Sequence, residues 1–404
     1  MTSVLAWLAH DEAERRRMQE AIELFAEHDT LDELGIGSVR DAFSDLLFPG
    51  TSVLHTRARY LLFIPWIYIR IEDERVRAAK VGARAHRDEI KLIYALLAGG
   101  ERAGVIGERA RDDLKLLPSE AYWTALARLG FRLFGGTRAQ YHRSLDGYQA
   151  LRRSTPRAED DEPLPGVHAN WHPTLDDLRL ENATDGDFLA ETTFRLTAAE
   201  AEYIRERVRT RARDSLFAFL IARDIPTAVG APWLHPDLPL ADVAIQRQVE
   251  RSRVFSEMMH GAALLYNFML AQRRGDRELS DDYGHRLARW GSGATALQLP
   301  DWDEFWQIAL SGNPRITPTT QRFVQTWFEL ATSLGDAVAH DERARSLIER
   351  RERQTKKRQA RLANPRRLEI WSGATGLRQL TYRWDVVQAI INDVLEGVRR
   401  GGDA

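Results

Sequence analysis

The sequence predicts an all-α protein with two helical lobes joined by an acidic, proline-rich linker. Three observations carry this expectation. Apolar residues recur at helical spacing along most of the 404-residue chain. Alternation with period two is confined to short stretches near Phe194 and from Leu377 to Tyr382, too little to build a sheet. Between Ser154 and Glu191 the chain becomes rich in Pro and Asp and loses its periodicity, which sets a lobe 1–153 before a linker 154–191 and a lobe 192–404 after it. A chain of this length also exceeds what one hydrophobic core usually supports.

The elements follow in order. "DEAERRRMQEAIELFAEHD" places Met18, Ile22 and Phe25 on one stripe behind a capping Asp11. "DELGIG" breaks it, Ser38 opens "VRDAFSDLLF", and Pro49-Gly50 turns the chain into "TSVLHTRARYLLFIPWIY", which reads as a helix from Thr51. Helix, tight turn, helix makes this a candidate helix-turn-helix, an arrangement shared with any small bundle. "AHRDEIKLIYALLAGG" ends at Gly99-Gly100; Pro118 and Ser119 start "EAYWTALARLGF"; Thr137 caps "RAQYHRSLDGYQALRR". In the second lobe Thr197 and Glu200 form a capping box. "VFSEMMHGAALLYNFMLAQRR" is a long apolar helix, and "TPTTQRFVQTWFELATSL" is amphipathic.

Composition excludes several chemistries. Hydrophobic residues make up 44% and charged residues 29%, the balance of an ordinary globular chain. There is no cysteine, so neither disulfides nor thiolate chemistry operate. The apolar run Val4–Ala9 is too short for a signal peptide, and Tyr60–Ile69 is about half a membrane span, so a cytoplasmic protein without membrane contact is expected. "GIGSVR" lacks the third glycine of a dinucleotide fingerprint and follows no strand; "GSGATA" near Ser292 and "WSGATG" near Gly373 read as turns. His10-Asp11, His28-Asp29 and His340-Asp341 lie where Asp caps a helix, and prolines flank His168 and His172. Asp88, Glu89 and Lys91 sit on a helix rather than at the strand end where nuclease carboxylates hold Mg²⁺. No metal, no cofactor and no catalytic residue is assigned.

One element stands apart. "RARSLIERRERQTKKRQARLANPRR", residues 343–367, carries eleven basic residues against Glu349 and Glu352, in a chain whose formal charge is −2. Read as one helix that is polar all round, it either bridges solvent, lies on nucleic-acid phosphates or docks on an acidic protein. Arg350, Arg353, Lys356, Lys357 and Arg361 are its candidate phosphate contacts. A second candidate is the helix-turn-helix-like pair Tyr122–Arg153, which presents Arg138, Gln140 and Tyr141 in the first turn of its second helix, with Arg143 one turn on. On a helical wheel from Thr51, His55 and Arg59 face outward as candidate ligand contacts. Arg57 lies about 160° from Arg59, in the apolar arc. A guanidinium there needs an anion of matching geometry, either Asp41 or Asp45 as a buried ion pair or a bound phosphate.

Four of these stretches, "DELGIGSVRDAFSDLLFPGTSVLHTRARYLLFIPWIY", "LTAAEAEYIRERV", "HGAALLYNFMLA" and "RARLANPRRLEIWSGATGLRQLTYRW", together resemble a bacterial family, domain of unknown function 6361. The likeness covers nearly the whole chain. It implies an accessory, DNA-engaging role in an anti-phage defence system, with helicase or phospholipase-D-like nuclease subunits as partners. The expectation is a non-catalytic nucleic-acid-binding component; the alternatives are a protein scaffold of a helicase/nuclease complex and a metal-dependent nuclease.

Overall fold

The computed structural model describes residues 32–154, 169–183 and 186–402. Among them every regular element is helical, apart from one isolated bridge between Arg132 and Trp171. In chain order the α-helices are α1 Gly37–Leu47, α2 Tyr60–Asp73, α3 Ala78–Ala98, α4 Pro118–Arg128, α5 Arg138–Ser154, α6 Thr174–Ala183, α7 Ala198–Arg211 and α8 Leu216–Ile221. They continue with α9 Val243–Arg274, α10 Arg277–Ala294, α11 Trp302–Gly312, α12 Pro318–Leu334, α13 Glu342–Lys356, α14 Pro365–Glu369 and α15 Trp384–Gly402. The all-α expectation holds.

The chain forms two units, and each draws on separated stretches. Of the described residues, the first gathers those of 48–230 and 383–402, hence α2 to α8 with α15; the second gathers 32–47 and 231–382, hence α1 with α9 to α14. This differs from the linear division at 154–191. The described part of that acidic stretch is built into the first unit: Asn170 and Trp171 are buried and both donate to the Glu72 carboxylate, at 3.0 and 3.2 Å. Trp66 Nε1 donates to the Leu175 carbonyl at 2.9 Å at the start of α6. Composition registers the prolines and acids but not the two anchoring side chains between them. Residues 155–168 and 184–185 lie outside the described residues, as do the first predicted helix, His10-Asp11 and His28-Asp29.

In the first unit α2 is apolar nearly all round and buried along almost its whole length, as such a helix must be. Its Tyr68 clusters with Trp123, Tyr141 and Trp171, ring centroids 5.4–5.9 Å apart. In the second unit α9, 32 residues long, is the axis against which α1, α10, α12 and α13 pack. Predicted caps recur where expected: Thr197 with Glu200 on α7, Thr137 on α5 and Asp341 on α13; the Gln140 side chain answers the Thr137 amide as well. Asp32 rather than Ser38 caps α1, accepting from Ile36 N and Gly37 N at 2.8 Å. "GSGATA" is not a turn but begins as the last turn of α10, where a Cβ on Gly291 would fall 2.5 Å from the Asp336 amide.

α15 seats on α7 through small residues. A Cβ on Gly397 would lie 2.5 Å from the Ala201 Cβ and 3.1 Å from the Leu196 Cβ. Neither neighbour is a flexible tip, so Gly397→Ala must displace the helix and should destabilise by about 1–3 kcal/mol. Gly147 on α5 faces open space, so Gly147→Ala should stabilise by up to about 1 kcal/mol through helix propensity. Thermal denaturation of the two variants should therefore move in opposite directions.

Candidate nucleic-acid interface

The basic stretch 343–367 is not one helix. α13 stops at Lys356, a 3₁₀ turn covers Lys357–Gln359, and α14 begins at Pro365. The break is built from within. Glu352 accepts from the backbone N–H of Arg361 at 2.5 Å and of Leu362 at 3.1 Å, which folds the chain back over the end of α13. Lys357 turns the corner with φ +51°, a conformation that costs a residue bearing a Cβ. Tyr266 donates to the same Glu352 carboxylate at 2.6 Å.

Nor is α13 polar on every side for lack of burial. It buries Ala344, Ile348, Arg351 and Glu352. Arg351 donates through Nε to the Leu34 carbonyl at 2.7 Å and through Nη2 to Gly35 O at 2.7 Å and Thr320 Oγ1 at 3.0 Å. Its guanidinium lies 4.9 Å from the Phe323 ring centroid. Glu33 is a second anchor: it meets Arg361 Nη1 at 2.6 Å, Lys356 Nζ at 3.3 Å and Thr375 Oγ1 at 2.9 Å. Burial works to raise the Glu33 pKa, yet Arg361, Lys356 and Thr375 together hold it below the usual carboxylate value. A charged pair takes the place of an apolar stripe, which hydrophobic periodicity cannot detect.

The five candidates of this stretch therefore divide. Lys356 and Arg361 are tied to Glu33, whereas Arg350, Arg353 and Lys357 are exposed. Arg350 and Arg353, three residues apart, share one face of α13, and Lys357 lies just past its end. Arg358, Arg366 and Arg367 are exposed on the turn and on α14. Arg353 pairs with Glu349 at 3.0 Å. Sequence reasoning missed Glu33 and Arg351 as the anchors; the in-helix phase of Arg351 relative to Ala344 and Ile348 was the available signal.

In the first unit the sequence-predicted residues mostly face inward. Thr51–Arg59 is not helical, because its amides serve distant acceptors: Thr56 N and Arg57 N donate to the Tyr122 hydroxyl at 2.8 and 3.2 Å, and Ala58 N donates to Asp393 at 3.0 Å. The helical wheel from Thr51 thus does not apply: both arginines are ion-paired, and Arg59 is the more deeply buried. Arg59 is 6% exposed, pairs with Glu200 at 2.8 Å and donates to the Thr193 carbonyl at 2.8 Å. Arg57 is 28% exposed, lies 4.8 Å from the Phe194 ring centroid and forms a forked pair with Asp393, Nε at 2.9 Å and Nη2 at 2.7 Å. Its anion is Asp393, neither Asp41 nor Asp45: Asp41 pairs with Arg40 at 3.0 Å, and Asp45 is exposed.

His55 is buried, stacked on Tyr122 with centroids 4.0 Å apart, its Nε2 donating to the Ala121 carbonyl at 3.1 Å and its Nδ1 accepting from Ser52 N at 3.3 Å. Burial pushes its pKa down to about 3. The helix-turn-helix reading of α4 and α5 also changes. Arg138 is buried against Glu120 at 2.7 Å, and Tyr141 is fully buried with its hydroxyl on Glu72, so neither reaches outward from the first turn of α5. Arg143 is exposed. Asp88 and Glu89 are buried structural groups: Asp88 accepts from Arg84, and Glu89 accepts from Ser119 N and Oγ at 2.8 Å, capping α4. Among the described residues no three His, Asp or Glu side chains gather as a metal-binding group, and no helix is long and apolar enough to cross a membrane.

The class defined is an all-α protein of two units with an internally braced, outwardly cationic turn. The chain belongs to the family of unknown function DUF6361, which it matches over residues 2–397. No curated protein and no solved structure matches it.

Two outcomes follow. Asp393→Ala strands the Ala58 amide and the Arg57 guanidinium together and should cost about 3 kcal/mol in urea denaturation. Arg57→Met leaves the buried Asp393 carboxylate with the Ala58 amide alone and should likewise cost about 3 kcal/mol. Below pH 6.5 the unfolded chain takes up a proton that folded His55 refuses. Its share of stability is whole above that pH and drains as pH falls toward 3. Between pH 7.5 and pH 5 the melting temperature of His55→Gln should change in the stabilising direction relative to that of the native protein, the gap widening as pH falls.

Proposed function

We propose that the protein is a nucleic-acid-binding component that holds duplex phosphates on the exposed cations of 350–367. The observation that carries this reading is the division of labour within the basic stretch. Arg351, Glu352, Lys356 and Arg361 brace the backbone, and Arg350, Arg353, Lys357, Arg358, Arg366 and Arg367 are left exposed. Of these six, only Arg353 has an ion-pair partner among the described residues. Positive charge gathered on a braced surface of a chain with net charge −2 favours a local, polyanionic partner. The 350–367 surface offers no exposed aromatic ring for base stacking, which favours a duplex over a single strand. The accessory role in anti-phage defence, beside helicase or phospholipase-D-like nuclease subunits, rests on the family resemblance.

Anisotropy of a labelled 30-base-pair duplex in a KCl series tests this. Arg350→Gln, Arg353→Gln and Lys357→Gly combined should weaken binding and lower the log K against log salt slope by about 0.9 per lost contact. Glycine at 357 relieves the positive-φ strain, so folding is kept. A salt-independent signal, or polyglutamate of equal charge competing as well as DNA, would count against the duplex and for an acidic protein partner.

A further inference from the structure

The outward face of α3 carries a second cationic surface, independent of the first. Arg77, Lys80, Arg84, Arg87 and Lys91 follow one another at steps of three and four residues, so they share one side of the helix. Both acids of α3, Asp88 and Glu89, are buried, while Arg77, Lys80, Arg87 and Lys91 are exposed. Arg84 is the strut of the row. Its three nitrogens are taken by Glu74 and Asp88, with Nη2 to Glu74 at 2.8 Å and Nε to Asp88 at 2.6 Å. Glu74 is consumed further by Arg70 Nε at 3.1 Å. None of the four exposed cations has an ion-pair partner among the described residues.

This arrangement works against the helix that bears it. The first turn of α3 contains no acid, and Arg77 and Lys80 put positive charge at the end where the helix dipole is already positive. Arg77 with Lys80, and Arg87 with Lys91, are like-charge neighbours one turn apart, again unfavourable. Asp146 on α5 caps the Ala78 amide at 2.8 Å. A row of cations that its own helix disfavours has a use when an anion lies along it.

Length decides which anion. From Arg77 to Lys91 the row runs about 21 Å at 1.5 Å per residue. It begins beside a hollow of about 510 Å³ between the 74–77 turn and α3. A single phosphate group reaches one or two of these side chains, whereas a duplex offers a charge about every 1.7 Å along its axis. Tyr94 is the exposed aromatic that continues the row, its hydroxyl donating to Asp112 at 2.6 Å.

We infer that the exposed face of α3 is a further contact for the phosphate backbone of duplex nucleic acid, made by Arg77, Lys80, Arg87 and Lys91 and held in register by Arg84. The inference rests on the nucleic-acid reading above but on none of the residues 350–367. It is tested in the full chain with Lys80→Gln, Arg87→Gln and Lys91→Gln combined, beside the 350/353/357 variant. The α3 variant should melt at the same temperature or higher, since like-charge repulsion is removed. Its slope of log K against log salt on the duplex should fall by about two to three. Lys80→Arg with Lys91→Arg should keep the native slope. An unchanged slope in the α3 variant, with loss in the 350/353/357 variant, overturns the inference and leaves the first reading in place. The reverse pattern supports it and overturns the first surface. A lower melting temperature marks the row as structural, and equal loss on a single strand of the same length overturns the duplex assignment. No binding by the native protein at 50 mM KCl overturns both readings.

Discussion

An arginine withdrawn from water keeps its charge, and the need to give that charge fixed acceptors organises both units of this protein. In the first unit Arg57 and Arg59 flank the start of α2, and each finds a carboxylate far away in the chain. Arg57 meets Asp393, 336 residues on, and Arg59 meets Glu200, 141 residues on. Glu200 simultaneously closes the capping box of α7, and Asp393 also accepts the Ala58 amide ahead of α2. Each carboxylate thus joins an ion pair to a helix end. Two orphan requirements, a guanidinium and a backbone N–H, are met by one side chain.

The same need separates structural from available charge in the second unit. Arg351 spends its donors on the Leu34 and Gly35 carbonyls and on Thr320. Arg361 and Lys356 spend theirs on Glu33. What remains exposed on α13, the turn and α14 is held in place by charges that are not. A run of basic residues is therefore a poor unit of description. Its members divide by where their donors go, and that division leaves the exposed cations on a braced backbone. On α3 the division is similar: Arg84 is consumed by Glu74 and Asp88, and its neighbours along the row are exposed.

Much of the fold was legible in the chain. Helical period, the Thr197–Glu200 box, the Thr137 and Asp341 caps and the glycine stops are local signals, set by residues within a turn of one another. Where the reading failed, the cause was long-range. The wheel drawn from Thr51 assumed that amides 56–58 bond four residues back, whereas Tyr122 and Asp393 take them. The stretch after Ser154 looked like a linker because nothing local reveals that Asn170 and Trp171 answer the buried Glu72. Arg138 and Tyr141 looked available because a basic or aromatic residue in a first helical turn carries no mark of the Glu120 or Glu72 awaiting it.

By itself, the sequence determined the helical character of the chain, the caps at Thr137, Thr197 and Asp341, the lack of thiol chemistry and the concentration of positive charge at 343–367, since each depends on residue type and short spacing. Only the tertiary structure decided which arginines are buried, that Asp393 rather than Asp41 or Asp45 meets Arg57, and that each unit is assembled from separated parts of the chain. Burial of charge is settled by partners that arrive from hundreds of residues away, and spacing along the chain does not encode them.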